Sequence, residues 1–373
     1  ARLDGEFTKH HPFLYALRSD LLLGNLKIIM EPWDLGNQGW RTGQFGLPFG
    51  EWNDRFRDTT RTFWVSDVAA GTKSGSIGMQ EIATRLCGSA DLFATDPGRG
   101  ATASINFVSC HDGFTLTDLT RYAVKHNEAN GENNIDGSNT NHSANFGVEG
   151  PSVDARVEAK RERAAMNMFG MLLLSLGTPM LLAGDEFRNT QEGNNNAYCQ
   201  DNAITWLNWD WMRKNSDSPE RRRIEAVSEL IAIRKSLELF HHEDFFTRLT
   251  QLGLLKPSSR VQWFLPDGTT PMEGDWFDTS IRSFTMRLTS NEEVDVLIVI
   301  NGIDKAMDFR LPADSMWKCL WSSAVTSGDE PKRKTVRARK TAGAAAAAVP
   351  TAPEDNVWRV PALSISLIQQ IDW

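Results

Sequence analysis

The fold is decided by a short stretch near the start of the chain, which reads KIIMEPWD at residues 27–34. An apolar, β-branched run closed by an acid and a proline is typical of a buried strand that ends in a loop. Two later stretches have the same form, SINFVSCHDG at residues 104–113 and TPMLLAGDE at residues 178–186. Each predicted strand therefore ends in carboxylic acids or in a His-Asp pair.

Helical spacing of apolar residues separates these strands. We predict helices over 13–23, 51–65, 155–176 and 219–240 from that spacing. Strands that alternate with helices indicate an α/β fold with a parallel sheet. In a (β/α)₈ barrel, and equally in a doubly wound sheet, the chemistry lies at the carboxyl ends of the strands. The alternation alone does not separate these two folds.

The pattern of predicted secondary structure changes near residue 245. Short strand-like runs separated by turn residues follow, at 261–265, 283–288, 294–301 and 363–368. We therefore predict an antiparallel β-sandwich domain over residues 244–373, after a catalytic domain over residues 1–243. A basic and then alanine-rich segment near residues 331–350 is expected to be a flexible surface insertion.

Bulk properties exclude some partners. The 373 residues carry a net charge of −8, which argues against nucleic acid or an anionic membrane as the main partner. No apolar run approaches the roughly 20 residues that span a bilayer. The chain has only 4 cysteines, none in a C-x-x-C pair, which favours a reducing, cytoplasmic location.

Glu31, His111 and Asp112 are the candidate chemical groups. Glu31 follows an apolar strand, so we expect it to lie partly desolvated against Trp33, with a raised pKa suited to a general acid. A helix cap or a salt-bridged loop acid is the alternative. His111 and Asp112 occupy the equivalent place on a later strand, where they can bind sugar hydroxyls. Acids on separate strand ends of one sheet indicate glycoside hydrolysis.

Other groups are more ambiguous. Asp185 either contacts substrate or holds a loop, and the amide-rich tract 193–202 suits either sugar hydroxyls or turns. A metal site built from His111, Asp112, Asp185 and Glu186 is a rival that their spacing does not support, so no metal and no cofactor is predicted.

Residues 27–34 and 107–116 resemble the fifth- and seventh-strand motifs of isoamylase-type glycogen-debranching enzymes in the α-amylase superfamily. The segments 51–58, 126–132 and 177–202 resemble the same enzymes, so the resemblance extends over residues 12–210. It implies the C-terminal half of a (β/α)₈ TIM barrel, entered at its fifth strand. It also implies that Glu31 is the general acid/base, that Asp112 stabilises the transition state and that His111 binds the sugar at the cleavage site.

The nucleophile of this superfamily is an aspartate in an Arg-x-Asp motif on the fourth strand. Arg2-Leu3-Asp4 has that pattern, but a βαβ unit takes at least about 30 residues, and no apolar strand precedes Asp4. We therefore expect Asp4 to be a loop residue and the nucleophile to lie before Ala1. A chain without it should be inactive or unstable alone.

The resulting hypothesis is hydrolysis of α-1,6 branch linkages in a branched α-glucan by a retaining mechanism. Trp33 would stack on the sugar, and Asn127 and Asn130, from the loop at 126–134, would shape the cleft. The alternatives are an α-1,4 amylase or a transferase of the same fold, and a non-catalytic glucan-binding relative.

Overall fold

The structure is a computed structural model that describes residues 1–36, 38–72, 75–213, 217–245, 261–289, 295–313, 315–324, 331–333 and 356–371. A two-residue hairpin opens the chain, formed by strands β1 (Arg2–Leu3) and β2 (Glu6–Phe7). Asp4 and Gly5 form its turn with φ angles of 50° and 84°, the left-handed pair that tight hairpins use. Asp4 is therefore a turn residue and not a strand-end residue of the parallel sheet.

A parallel sheet of four strands follows, in the order of the sequence. Its strands are β3 (Ile29–Met30), β4 (Gly50–Asn53), β5 (Ser104–Asn106) and β6 (Thr178–Pro179). All neighbouring pairs are parallel, so the strands share one carboxyl edge. Within the described residues the sheet is open, with β3 and β6 as its two edges.

Helices precede, separate and follow the strands of this sheet. They are α1 (Pro12–Ser19), α2 (Asp54–Arg61), α3 (Asp67–Ala70), α4 (Met79–Leu86), α5 (Ala90–Phe93), α6 (Ala155–Leu173) and α7 (Pro219–Ser236). Side-chain caps explain several starts: Asp154 accepts the backbone N–H of Arg156 at the start of α6, and Ser218 caps α7 directly before a proline. Within the described ranges, every helix is too short or too polar to span a bilayer.

Two antiparallel sheets form the rest of the described chain. A five-stranded sheet has the order β11-β14-β9-β8-β7, and a three-stranded sheet has the order β10-β13-β12. The strands are β7 (Val261–Phe264), β8 (Ser283–Thr289), β9 (Asp295–Asn301), β10 (Met307–Arg310), β11 (Met316–Ser322), β12 (Lys332–Arg333), β13 (Val357–Val360) and β14 (Ser364–Ile371). A short helix, α8 (Glu273–Phe277), lies between β7 and β8.

The parallel and antiparallel parts share one hydrophobic core. Helix α6 packs on β14, and residues of both belong to the same buried cluster. Gly170 permits this approach, because a Cβ at that position would lie 2.4 Å from the Ile365 side chain. Arg282, at the start of β8, is fully buried and donates to Asp67 Oδ2 at 2.8 Å and to the Phe63 carbonyl at 2.6 Å.

The helical prediction over 51–65 is wrong at its start. Residues 51–53 belong to strand β4, and α2 begins only at Asp54. The error arose because Glu51 and Asn53 are polar yet completely buried in the strand, which hides a strand pattern. The other strands of the parallel sheet are shorter than predicted; β6 ends at Pro179, which has no N–H for a ladder. Most of the predicted insertion at 331–350 lies outside the described residues.

Candidate active site

Aromatic side chains form a row along the carboxyl edge of the parallel sheet. Trp33 follows β3, Trp52 belongs to β4, and His111 lies beyond β5. The Trp33 and Trp52 ring centroids are 6.3 Å apart, and those of Trp52 and His111 are 5.6 Å apart. Trp52 also contacts Phe107 at 5.4 Å. The structure thus brings Trp33 and His111 to one site through Trp52, a strand residue that the helical spacing over 51–65 wrongly predicts to be helical.

Glu31 reaches the same edge of the sheet, but its surroundings differ from the prediction. Its side chain is exposed, so the partly desolvated pocket expected against Trp33 is a wrong prediction for this structure. The physical reason is that, in the part of the chain that the structure describes, β3 is an edge strand with β4 as its one neighbour. The loop after Glu31 is nevertheless held in place: the Arg41 N–H donates to the Pro32 carbonyl at 2.7 Å, and Arg2 forms an ion pair with Asp34 at 3.1 Å.

Asp112 and His111 are both exposed, and Asp112 is held by its neighbour Cys110. The buried Cys110 thiol donates to Asp112 Oδ1, with an Sγ to Oδ1 distance of 2.7 Å. Burial, reinforced by this carboxylate, raises the pKa of Cys110 to about 12. The chain bends at residues 111–113, which turns these consecutive side chains toward one another.

Two arginines lie next to this segment. Arg61 is buried and donates from Nε to the Val108 carbonyl at 2.7 Å. Burial lowers the pKa of Arg61 to about 10, so it remains a cation near neutral pH. Arg57 lies over the Phe107 ring at 5.6 Å and pairs with Asp58 at 2.7 Å. The site is therefore balanced between carboxylates and guanidinium groups.

Asn127 and Asn130 fix one long loop against another. Asn127 is completely buried, and its side-chain amide exchanges hydrogen bonds with Asn195 at 2.9 Å. Asn130 donates to Asp136 Oδ2 at 2.7 Å and to the Asn196 carbonyl at 2.9 Å. The structure thus uses the amides of both residues to hold the loop. Asn127 has no exposed surface with which to bind a sugar, so it can shape the cleft only by holding this loop.

Asp185 is also buried. It accepts hydrogen bonds from the Ser109 hydroxyl and from the Leu116 N–H, the latter at 2.9 Å. Burial raises the pKa of Asp185 to about 6. This geometry favours the loop-holding interpretation over substrate contact, because Asp185 fixes the segment that carries His111 and Asp112.

Two buried acids hold the loops around this site, and the sequence pattern does not mark either of them as such. Glu51 is completely buried and forms an ion pair with the equally buried Arg99. Burial raises the pKa of Glu51, and the Arg99 charge opposes this shift. Asp118, also buried, accepts from the Thr190 hydroxyl at 2.5 Å and the Gln191 N–H at 2.7 Å. Glu51 lies inside the 51–58 motif, which was the available signal; nothing in the pattern around Asp118 marked it.

The rival metal set of His111, Asp112, Asp185 and Glu186 is not assembled. Among the described residues, neither Asp185 nor Glu186 belongs to a close group of three metal-ligand side chains. The cavity between α6 and the loops after β9 and β13 has a volume of about 1000 Å³, with Trp64, Phe146, Arg163 and Asn167 among its lining residues. No candidate site residue lines it, so the carboxyl edge of the sheet remains the better candidate.

Comparison with known proteins finds relatives among curated bacterial proteins. The chain is 38% identical over 307 residues to a glycogen debranching enzyme of Serratia proteamaculans. The aligned residues cover 82% of this chain and 42% of the relative. It is 36% identical over 332 residues to the GlgX homolog of the glycogen operon of Mycobacterium tuberculosis, covering 85% of this chain and 43% of the relative. No protein-family model matches.

Solved structures show the same fold at low identity. Pullulanase from Bacillus acidopullulyticus matches with a TM-score of 0.56 and 17% identity, over 94% of this chain and 35% of that chain. The catalytic module of the pneumococcal glycogen-degrading virulence factor SpuA matches with a TM-score of 0.60 and 15% identity, over 97% of this chain and 50% of that chain.

The curated relatives define the class: the chain is a relative of glycoside hydrolases. Within that class it is a relative of the bacterial glycogen-debranching enzymes, and it spans about 42% of the length of the relative from Serratia. The resemblance that the motifs indicated is thereby confirmed.

Proposed function

We propose that this chain carries the acid/base half of an active site that hydrolyses α-1,6 branch linkages in glycogen or its limit dextrins. The observation that supports this most directly is that Trp33 and His111 both contact Trp52 across three neighbouring parallel strands. Glu31 and Asp112 lie close to them in the chain, beyond β3 and β5. The names of the relatives supply the substrate class, a branched α-glucan. A cytoplasmic location stays a prediction.

The proposal includes a finer statement of the fold. The four parallel strands are the second half of a (β/α)₈ barrel, within a catalytic domain at residues 1–243, and the antiparallel sheets form a β-sandwich domain at residues 244–373. In such a barrel a further strand would lie beside β3. Glu31 would then have neighbours on both sides, and part of its present exposure would be lost.

The proposed mechanism retains anomeric configuration. Glu31 protonates the leaving glycosidic oxygen and then, as carboxylate, takes a proton from the attacking water. Asp112 binds sugar hydroxyls more strongly as the ring approaches an oxocarbenium ion, and its hydrogen bond from Cys110 fixes its orientation. His111 donates a hydrogen bond to the same sugar. Trp33 and Trp52 offer apolar faces against which that sugar can pack.

A retaining mechanism also needs a nucleophilic carboxylate about 5–5.5 Å from the acid. Among the described carboxylates near Glu31, Asp34 pairs with Arg2 and Asp4 lies in the β1–β2 turn. The proposal therefore assigns the nucleophile to a segment of the complete enzyme that these 373 residues do not include. The chain alone should bind glucan without hydrolysing it.

Product analysis tests the proposed reaction in the complete enzyme. A branched limit dextrin is digested and the products are separated by chain length, with unbranched amylose as the matched control substrate. Debranching releases short linear chains and leaves amylose intact. An α-1,4 amylase would shorten amylose, and a transferase would lengthen some chains at the expense of others; either result contradicts the proposal.

A further inference from the structure

We propose that Cys110, His111 and Asp112 form a binding site for a thiophilic divalent cation of the Zn²⁺ and Cd²⁺ type. One ligand atom from each side chain, Sγ, an imidazole nitrogen and a carboxylate oxygen, lies within 4.8 Å of the other two. In the described part of the chain, this is the one group of three such side chains gathered so closely.

The backbone explains how three consecutive residues converge. In an extended strand, successive side chains point to opposite faces of the sheet. Strand β5 ends at Asn106, however, and the chain bends at residues 111–113. Gly113, with a φ of 77°, continues the turn. The three side chains therefore curl toward one point instead of alternating.

The donor set and spacing suit this class of metal. Sulfur, imidazole and carboxylate are all zinc ligands, and tetrahedral bonds of about 2.0–2.3 Å place ligand atoms roughly 3.5 Å apart. The Cys110 sulfur and Asp112 Oδ1 are 2.7 Å apart, closer than this, because a hydrogen bond joins them. Asp112 is exposed and can rotate outward to admit the ion, His111 is exposed and can rotate toward it, and the buried Cys110 serves as the fixed anchor. Three protein ligands leave a fourth position for water.

The neighbouring charges oppose the cation. The guanidinium of Arg61 interacts with both Cys110 and Asp112, and that of Arg57 interacts with Cys110. Binding replaces the thiol proton by the metal and releases that proton to solvent. The site is therefore suited to reversible occupation, and a bound metal would cover the two side chains that the proposed function assigns to the sugar.

A Cd²⁺ titration of the chain tests the site without any activity assay. The thiolate-to-cadmium charge-transfer absorption should rise and saturate at one Cd²⁺ per chain. Cys110→Ser should abolish this band, and His111→Gln, at an exposed position that folding tolerates, should weaken Cd²⁺ binding by at least about tenfold. Cys199→Ser removes an exposed thiol outside the cluster and should leave the band intact. No saturable band, or a band that survives Cys110→Ser, would overturn the site.

The expected competition between the metal and the sugar rests on the proposed function, and a separate measurement tests it. Maltooligosaccharide binding to the chain, measured by calorimetry, should weaken when Cd²⁺ is present, and Cys110→Ser should be insensitive to Cd²⁺. A saturable band without competition would uphold the metal site and contradict the sugar-binding role of His111 and Asp112.

Discussion

The ion pair between Glu51 and Arg99 is inaccessible to water, since both side chains are fully buried. Glu51 also accepts the N–H groups of Gly43 at 2.6 Å and of Phe45 at 3.1 Å, so this one carboxylate joins the loop after Trp40 to the sheet. A buried pair is costly to break, because the remaining charge stays in the interior without compensation.

We therefore expect Glu51→Gln to lower the free energy of unfolding by about 3–5 kcal/mol, as measured by urea denaturation. The matched control is Asp217→Asn, which breaks the exposed pair with Arg222 and should cost less than about 1 kcal/mol. If the two substitutions lowered the free energy of unfolding equally, burial of the Glu51 pair would not contribute to stability as predicted.

Asp185 gives a prediction about pH. Its pKa in the folded chain is about 6, raised from 3.8 by burial. Because the folded state holds this proton more tightly than the unfolded state, its contribution to stability is complete below about pH 4 and is lost as pH rises to about 6. Asp185→Asn keeps a neutral side chain of the same shape and removes this dependence.

Between about pH 4.5 and about pH 7, the stability of the wild type should therefore fall by about 2 kcal/mol more than that of Asp185→Asn. Urea unfolding of both proteins at the two pH values measures this difference, and all other titrating groups cancel in the comparison. Parallel pH profiles would mean that Asp185 is ionised in the folded protein throughout.

At the scale of elements, the loop over residues 125–141 is long and has little regular structure, yet it is ordered by side-chain amides. Asn195, from the loop after β6, donates to the Ser138 carbonyl and to Asn141 Oδ1, both at 2.8 Å, and pairs with Asn127. Lys125 adds a buried ammonium that donates to the Asp136 carbonyl at 2.7 Å. The two loops therefore act as one unit.

Asn195→Ala should release this unit. We expect a loss of about 2–4 kcal/mol, because several buried donors and acceptors lose their partners together, and faster hydrogen exchange in residues 125–141. Asn208→Ala removes an exposed amide that caps one backbone N–H and should cost about 1 kcal/mol. If hydrogen exchange of the loop is unchanged in Asn195→Ala, the amide network does not order it.

The elements also show where sequence reasoning succeeds. The strands β3 and β5 were predicted because apolar runs end there in Glu31-Pro32 and His111-Asp112, so pattern and position coincide. Strand β4 was not predicted, because its inward side chains include the polar residues Glu51 and Asn53. Their partners are distant in sequence: Arg99 for Glu51, and Ser89 and Ser104 for Asn53. Polar burial of this kind depends on tertiary contacts that no local pattern reveals.

The candidate site, too, could be predicted from the sequence only in part. Glu31, Trp33, His111 and Asp112 could be named from strand ends and from the resemblance. The aromatic role of Trp52 and the anchoring of Asp112 by Cys110 depend on a strand and a bend that the sequence did not indicate. The burial of Asn127 was equally hidden, because an asparagine-rich loop suits either a sugar or its own backbone.

At the scale of the whole molecule, Arg282 ties the antiparallel sheet to the helices of the parallel sheet. Its guanidinium lies 4.0 Å from the Phe63 ring centroid and donates to Asp67 and to the carbonyls of Phe63 and Ile77. We expect Arg282→Leu to lower the free energy of unfolding by about 3–5 kcal/mol, since Asp67 loses its buried partner.

The same substitution tests how the two parts unfold. Because they share a core, urea denaturation of the wild type should show one transition, whereas Arg282→Leu should broaden it or split it in two. Arg359→Leu breaks the exposed pair with Asp308 and should leave a single transition. Two transitions already present in the wild type would contradict a common core.

The proposed function depends above all on Glu31 as the general acid/base of branch hydrolysis. The most direct measurement is kcat for a branched limit dextrin with Glu31→Gln in the complete enzyme, beside Glu229→Gln, which alters an exposed acid on α7. We predict that Glu31→Gln lowers kcat about a hundred- to ten-thousand-fold with substrate binding retained, and that Glu229→Gln has no effect. Near-normal turnover of Glu31→Gln would contradict the account.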